Sequence, residues 1–456
     1  MNLFLQSSSR PLHFVGIGGA GMSALALIAL RRGFRVTGSD ADISGTADLQ
    51  GQGAVVAVTG VELVDAASAV VASAAIPPDH PELVRARERG IPVVPRKDAL
   101  AGLVSGGTCV AIAGTHGKTT TTVMTTEALI GAGMNPTGLA GGRVANWGGN
   151  ARLGSPDLYV VEADEYDRAF LTLAPAVAVI NNVEPDHLEC YGSVDAMEGA
   201  YVEFAAKAAR ILVGNDGLGT ERVVAGLERR RVWRFGPGAA DLPLTALDLT
   251  SVGSSATVGF PDGDLVRLRL AVPGLHNLRN AAAALGVVSA LGGDRLAAAK
   301  ALAGFGGVGR RFERVGEAAG VTIIDDYAHH PTELSATLAA ARQAFPSRRL
   351  VAVFQPHLFS RTALHAAAMG AALTRADVAI VADVYGAREA PVAGVTGQLV
   401  ADAARGLGGR VEYQPDRTAL SRTVLDLVAA GDVVLTLGAG DVTRVGPEVL
   451  AGLEHR

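Results

Sequence analysis

At 456 residues the chain is long enough for about three domains, and 49% apolar against 19% charged residues excludes a disordered chain. Forty Lys+Arg against 45 Asp+Glu leave a formal charge of −5, with Arg229-Arg230-Arg231 the one dense basic run, so the clustered cations of a nucleic-acid binder are missing. Two cysteines, Cys109 and Cys190, exclude a disulfide framework and a four-thiolate zinc site.

The apolar stretch from Val15 to Leu30 carries four glycines and is too short to span a bilayer. It predicts a buried strand, loop and helix in a cytoplasmic protein without a membrane partner. Leu12–Val15, Arg35–Thr37, Ala54–Val58, Ala69–Val71 and Ile91–Val94 are short apolar runs separated by helical stretches, the pattern of a parallel sheet covered on both faces. The Ala/Leu-rich stretch 99–104 and Ser105-Gly106-Gly107 read as a linker. A second α/β unit opens with Cys109–Ala113 and continues through Leu158–Glu162 and Ala176–Ile180; in residues 241–272 the alternation of Leu265–Leu270 suggests a few antiparallel strands with one wet face. An Ala-rich helix runs from Asn277 to about Leu291. The glycine cluster Gly304–Gly309 suits a hinge, and beyond it Val321–Ile324, Leu350–Phe354, Val378–Val381 and Val433–Leu437 define a third α/β unit. The expected domains are 1–104, 105–307 and 308–456.

Gly16-Ile17-Gly18-Gly19-Ala20-Gly21 follows a strand and opens a helix, and Asp40 lies nineteen residues after Gly21. Glycines there let backbone N–H groups approach a pyrophosphate at a helix N-terminus, while an acid accepts from a ribose hydroxyl. A nicotinamide dinucleotide and a nucleotide-sugar diphosphate satisfy this motif equally. Ala113-Gly114-Thr115-His116-Gly117-Lys118-Thr119, again between strand and helix, is a P-loop, although Ile112 stands where its first glycine belongs. Its amides cradle phosphates, Lys118 reaches the β/γ oxygens and Thr119 offers a hydroxyl to Mg2+.

A P-loop needs a carboxylate for its metal, and the run ending in Glu162-Ala163-Asp164-Glu165 puts acids at the same sheet edge. Glu162 is the metal candidate; Asp164 and Glu165 are either further ligands or solvated loop acids. His187, in Asn181–His187 at the end of the next strand, is a candidate second ligand. Asn277 and Asn280 either contact an adenine edge or cap their helix. Arg310-Arg311, after the glycine cluster, suit a γ-phosphate or a surface ion pair. Asp325–Pro331 holds two acids and two histidines without the cysteine or HExxH pattern of a zinc site, and Arg361, one turn past Gln355-Pro356-His357, suits a substrate carboxylate.

Taken together, HFVGIGGAGMS (13–23), GTHGKTTTT (114–122), EADEYD (162–167), NNVEPDHLECYG (181–192), PGLHNLRNAAAA (273–284), RRFE (310–313), DDYAHHPTE (325–333), FQPHLFSRT (354–362) and LGAGD (437–441) resemble the Mur ligases, and among them the members that join L-alanine to UDP-N-acetylmuramate. The resemblance runs the length of the chain. It implies a Rossmann-like N-terminal domain, a P-loop ATPase central domain and a Rossmann-like C-terminal domain. It also implies an ATP- and Mg2+-dependent ligase of peptidoglycan precursor synthesis, acting through an acyl phosphate as a monomer or homodimer. By resemblance, Gly16, Gly18, Gly19, Ala20, Gly21, Met22, Ser39, Asp40 and Ser73 face UDP-N-acetylmuramate. Gly114, Thr115, His116, Gly117, Lys118, Thr119 and Thr120 bind ATP with Asn277, Asn280, Arg311 and Asp326. Thr119, Glu162 and His187 hold magnesium, Lys118, Glu162, His187 and Arg311 are catalytic, and Tyr327, His329 and Arg361 receive L-alanine.

Two departures stand out: Leu358 where many relatives carry arginine, and Arg168-Ala169-Phe170 in place of a more usual Ser-Phe. Lys207, the one lysine near His187, does not fit the spacing of the carbamylated lysine found in some members. Three rival readings remain: a murein peptide ligase that recycles a tripeptide onto the same nucleotide sugar, an NAD-dependent oxidoreductase resting on Gly16–Gly21 and Asp40, and a non-catalytic nucleotide-binding regulator.

Overall fold

The computed structural model describes residues 9–215, 217–250, 253–387 and 389–455. Its strands form three sheets. The first contains β1 (Leu12–Val15), β2 (Val36–Ser39), β3 (Val55–Ala57), β4 (Ala69–Ala72) and β5 (Val93–Pro95), in the order β3-β2-β1-β4-β5. All its pairs are parallel. Every residue of β1 and β4 is buried, as expected of strands with helices on both faces.

The second sheet comprises β6 (Thr108–Ala113), β7 (Pro136–Val144), β8 (Gly149–Arg152), β9 (Ser155–Glu162), β10 (Val177–Ile180), β11 (Arg210–Gly214), β12 (Val232–Pro237), β13 (Leu242–Thr250), β14 (Gly253–Gly259) and β15 (Leu265–Leu270). Its order is β15-β14-β13-β12-β11-β10-β6-β9-β7-β8. The P-loop strand β6 lies between β10 and β9, parallel to both, with Ala113 opposite Ile180 and Ile112 opposite Glu162. That register brings the ends of all three strands to one edge. β7 turns back on β8 as an antiparallel pair, and β15 alternates exposed and buried residues, giving it one wet face.

The third sheet holds β16 (Glu313–Ala318), β17 (Val321–Asp326), β18 (Leu350–Phe354), β19 (Val378–Val381), β20 (Val411–Tyr413) and β21 (Val433–Leu437), in the order β16-β17-β21-β18-β19-β20. Only β16 is antiparallel to its neighbour among these pairs. Two buried clusters lie on its opposite faces, one including Leu334, Leu338, Met369 and Val400, the other Leu420, Val424, Val445 and Val449.

The chain divides into two compact units. One runs to Leu247 and takes in Ser255–Arg269 and Leu278–Phe305; the other holds Asp248–Ser254, Leu270–Asn277 and the chain from Gly306 onward. The division falls inside the glycine cluster at 304–309. Within the first unit, one apolar cluster joins the first sheet to the second, from Leu12 and Ile28 through Leu139 and Ala151 to Val232. The segment 99–104 is no linker but the end of the helix Arg96–Val104, whose Ala99, Leu103 and Val104 are buried. Only Ser105-Gly106-Gly107 connects it to β6. Among the described residues no helix is long and apolar enough to cross a membrane.

Candidate active site

The first glycine loop leaves β1 and enters the helix Ala20–Arg31, whose N-cap, Gly19, supplies no side-chain acceptor. First-turn N–H groups without intrahelical partners are suited to an anion. Met22 is buried beneath them, and Ser73 at the end of β4 packs against Gly16. Asp40 accepts the Gly18 N–H at 2.9 Å through Oδ2 and the Asp42 N–H at 3.2 Å through Oδ1, so its carboxylate shapes the loop. Ser39 also turns inward: its hydroxyl donates to Glu82 at 2.7 Å, where the Gly60 N–H at 2.7 Å and the His13 ring at 2.8 Å also converge. Burial disfavours the Glu82 anion, but its partners outweigh that and hold its pKa below the usual carboxylate range.

The P-loop closes around its own backbone. Gly117, with φ 77°, caps the helix Lys118–Gly131 in a left-handed conformation, and its neighbours include the Asn181 and Asn280 side-chain amides. Asn182 Oδ1 accepts the His116 N–H at 2.7 Å, while the amide N–H groups of Asn181 and Asn182 donate to the His116 carbonyl at 3.1 and 3.2 Å. Thr115 exchanges hydrogen bonds with the Glu184 backbone. Thr120 is buried in the first turn of the helix. These two asparagines at the end of β10 thus brace the loop, a role that their position in an asparagine pair did not signal.

Lys118 Nζ donates to the Gly114 carbonyl at 2.7 Å and pairs with Glu165 Oε1 at 2.7 Å. Burial favours the neutral form of each partner; Glu165 and Glu162 oppose this, and the balance for Lys118 lies above the ordinary ammonium value. Glu165 is therefore a buried counterion and not a solvated loop acid. Asp164, by contrast, is partly exposed and pairs with Arg96 at 2.9 Å. The Thr119 hydroxyl donates to Glu162 Oε1 at 3.2 Å, and the Gly141 N–H donates to Glu162 Oε2 at 2.6 Å. A hydroxyl and a carboxylate side by side at the P-loop form the hard oxygen donor set that suits magnesium. His187 lies against the Tyr166 ring, and its ring nitrogens lie 3.7 Å from Asp186 and 3.5 Å from Glu189.

Both glycine motifs belong to one compact unit. Asn150 on β8 donates to the Ser23 hydroxyl at 2.9 Å, Arg31 to the Ala151 carbonyl at 2.8 Å, and Lys97 pairs with Asp167 at 2.8 Å. These contacts tie the first sheet directly to the P-loop sheet.

In the second unit, Arg310 and Arg311 lie 4.8 and 5.0 Å from the Tyr327 ring centroid. Arg310 also pairs with Asp325 at 3.2 Å, and Arg311 with Glu333 at 3.8 Å. Asp326 accepts the Phe312 and Ala328 N–H groups at 2.7 and 2.8 Å, and burial pushes its carboxyl up to about 6. His329 meets the Tyr327 carbonyl at 2.9 Å through Nδ1, and its ring lies 5.8 Å from that of His357. His357 stacks on Tyr385 and lies 3.2 Å from Arg361 Nη1. Tyr327, His329 and Arg361 therefore share one cluster, to which the structure adds His357 and Tyr385. Leu358, buried with φ 68°, is the N-cap of the helix Phe359–Leu373. Asn277 Nδ2 donates to the Pro273 carbonyl at 2.8 Å. Lys207 bonds the Leu171 carbonyl.

Residues 11–108 match the Mur ligase family, catalytic domain; residues 112–288 the Mur ligase middle domain; and residues 310–440 the Mur ligase, glutamate ligase domain. The chain belongs to the Mur ligase family. A UDP-N-acetylmuramate–L-alanine ligase of Kineococcus radiotolerans is 46% identical, covering 98% of this chain and 96% of that protein. One of Thermobifida fusca is 44% identical, covering 97% and 96%. The crystal structure of the UDP-N-acetylmuramate–alanine ligase of Thermotoga maritima superposes with a TM-score of 0.85 at 28% identity, covering 98% of this chain and 99% of that one. This Mur ligase is accordingly an α/β enzyme with three largely parallel sheets.

Proposed function

We propose that this chain joins L-alanine to the lactyl carboxylate of UDP-N-acetylmuramate at the expense of ATP, giving UDP-N-acetylmuramoyl-L-alanine, ADP and phosphate in the cytoplasm. The observation that carries the reading is the convergence of Lys118, Thr119, Glu162 and Glu165 at one sheet edge, in the same compact unit as the uncapped glycine loop. A site for a triphosphate and a site for a diphosphate are needed together only where the two ligands react. Full-length relatives that bear the L-alanine ligase name support the choice of substrates.

A carboxylate is a poor electrophile, so its oxygen first attacks the γ-phosphorus of ATP in line and ADP leaves. Lys118 neutralises charge on the transferring phosphoryl group, leaving Glu165 for the phosphate oxygens, and Arg311 contributes a second cation. Thr119 and Glu162, with His187, would hold Mg2+, which would supply positive charge to offset that of the phosphates. The amine of L-alanine then attacks the acyl phosphate carbon, and the tetrahedral intermediate expels phosphate to leave the amide. Arg361 holds the amino-acid carboxylate, with Tyr327 and His329 beside it. Asn277 and Asn280 contact adenine and Asp326 the nucleotide ribose. Water must be excluded while the acyl phosphate lives.

The test is phosphate release with each substrate omitted in turn. Release should require UDP-N-acetylmuramate and L-alanine together; release with neither would defeat the ligase reading and leave an unassisted ATPase. A tripeptide preferred to L-alanine would select the recycling ligase instead. The oxidoreductase reading is disfavoured by Asp40, whose two oxygens serve loop N–H groups, and it leaves the P-loop and its acids without a task.

A further inference from the structure

Arg96 opens the helix Arg96–Val104 directly after β5, on the sheet edge that carries the first glycine loop. Its guanidinium lies against Gly21 in the first turn of the helix Ala20–Arg31. A Cβ at Gly21 would come within 2.7 Å of Nη1 and 3.3 Å of Cζ, so a side chain there would push the guanidinium aside. The other nitrogen, Nη2, donates to Asp164 Oδ2 at 2.9 Å, two residues past the metal candidate Glu162. One cation thus touches the loop expected to hold the diphosphate and an acid of the ATP site. Neither partner of this pair is fully buried: the side chains are 21% and 39% exposed.

We propose that Arg96 is a positioning residue that exchanges Asp164 for the diphosphate of the nucleotide sugar, coupling occupancy of that site to the ATP site. The inference rests on the functional reading above. A phosphate oxygen presented at the uncapped first turn competes for the same guanidinium with two charge-assisted donors in fork geometry. Once Arg96 turns to it, Asp164 loses its counter-charge and becomes an added negative charge beside Glu162. An ATP–metal complex whose cation faces that acid then binds more tightly. Coupling of this kind is reciprocal, so ATP must also strengthen binding of the nucleotide sugar.

Calorimetric titration of UDP-N-acetylmuramate, with and without the β,γ-methylene analogue of ATP and Mg2+, tests this in the native protein, Arg96→Met, Arg96→Lys and Asp164→Asn. The native protein should show mutual strengthening of about fivefold or more. Arg96→Met, which keeps the apolar stem against Gly21, should weaken UDP-N-acetylmuramate about tenfold or more and abolish the coupling. Arg96→Lys should restore part of both. Asp164→Asn should bind UDP-N-acetylmuramate as tightly as the native protein or more so, yet also lose the coupling. A merely structural ion pair would give parallel losses of affinity in Arg96→Met and Asp164→Asn with the native coupling factor retained, and that result overturns the exchange. Native protein that binds no UDP-N-acetylmuramate overturns the functional reading itself; native binding with an unchanged Arg96→Met overturns the exchange alone.

Discussion

Lys118 pairs with Glu165 and donates to the Gly114 carbonyl, so its ammonium is fixed over the loop that phosphates would enter. Removing it takes away the main cation on the transferring group and nothing from the first glycine loop. Lys118→Ala should therefore lower phosphate release about a hundredfold or more, with UDP-N-acetylmuramate affinity unchanged by calorimetry; normal turnover would refute the P-loop assignment. Glu165 has a different signature. Its Oε2 is buried without a hydrogen-bond partner, so the acid is held by the lysine and not by a polar shell. Glu165→Gln removes the carboxylate paired directly with the buried ammonium until a triphosphate arrives to take its place. The variant should melt below the native protein without nucleotide, and saturating Mg·ATP should close much of that gap. A deficit of equal size with and without nucleotide would show that phosphate does not take over from Glu165.

At the scale of elements, Glu82 explains how two loops of the first sheet keep their places. From the helix Pro81–Glu88 it reaches the end of β2 through Ser39, the β3-side loop through the Gly60 N–H, and β1 through His13. Glu82→Ala strands three buried donors, a loss of about 3–5 kcal/mol where a buried pair is broken. It should lower the melting temperature and weaken UDP-N-acetylmuramate, because Asp40 and the Gly18 N–H it fixes follow directly from Ser39. Glu82→Gln should recover part of both; native affinity in Glu82→Ala would detach this network from the nucleotide-sugar loop. None of this was legible in the sequence, where Glu82 is one acid in a polar helix and its partners lie 22 to 69 residues away. What was legible was local. Apolar runs ending in glycine or acid identified the central parallel strands, and the motifs identified the edge on which Lys118, Thr119 and Glu162 meet. Edge strands such as β8, half of whose four residues are Asn150 and Arg152, and β16, which has no buried residue, carry no such pattern. The segment 99–104 was misread because Ala and Leu are uninformative until the β5–β6 connection shows which face is buried. Asn181, Asn182 and Arg96 owe their roles to strand order, which composition does not encode.

For the whole molecule, acid dependence is a sum of opposed contributions. Glu82, Asp377 and Glu448 have pKa values below the usual range in the folded state, so their stabilisation is present at neutral pH and lost as pH falls through those values. Asp326 runs the other way. Burial raises its carboxyl to about 6, above its unfolded value, so its contribution is complete in acid and is lost as pH rises through about 6. The displacement of about two units corresponds to roughly 3 kcal/mol, large beside a typical net stability of about 5–15 kcal/mol. Asparagine cannot ionise, and its mismatch with the Phe312 or Ala328 N–H is a constant offset at every pH. The melting temperature of Asp326→Asn relative to the native protein should therefore climb by several degrees between pH 4.5 and pH 7.5, most steeply at about pH 5, between the ordinary carboxyl value of 3.8 and the folded value of about 6. Equal melting curves displaced by the same amount at both ends of that range would mean that Asp326 ionises as readily in the fold as out of it. The carboxylate that the ribose reading requires would then come at no cost to the third sheet.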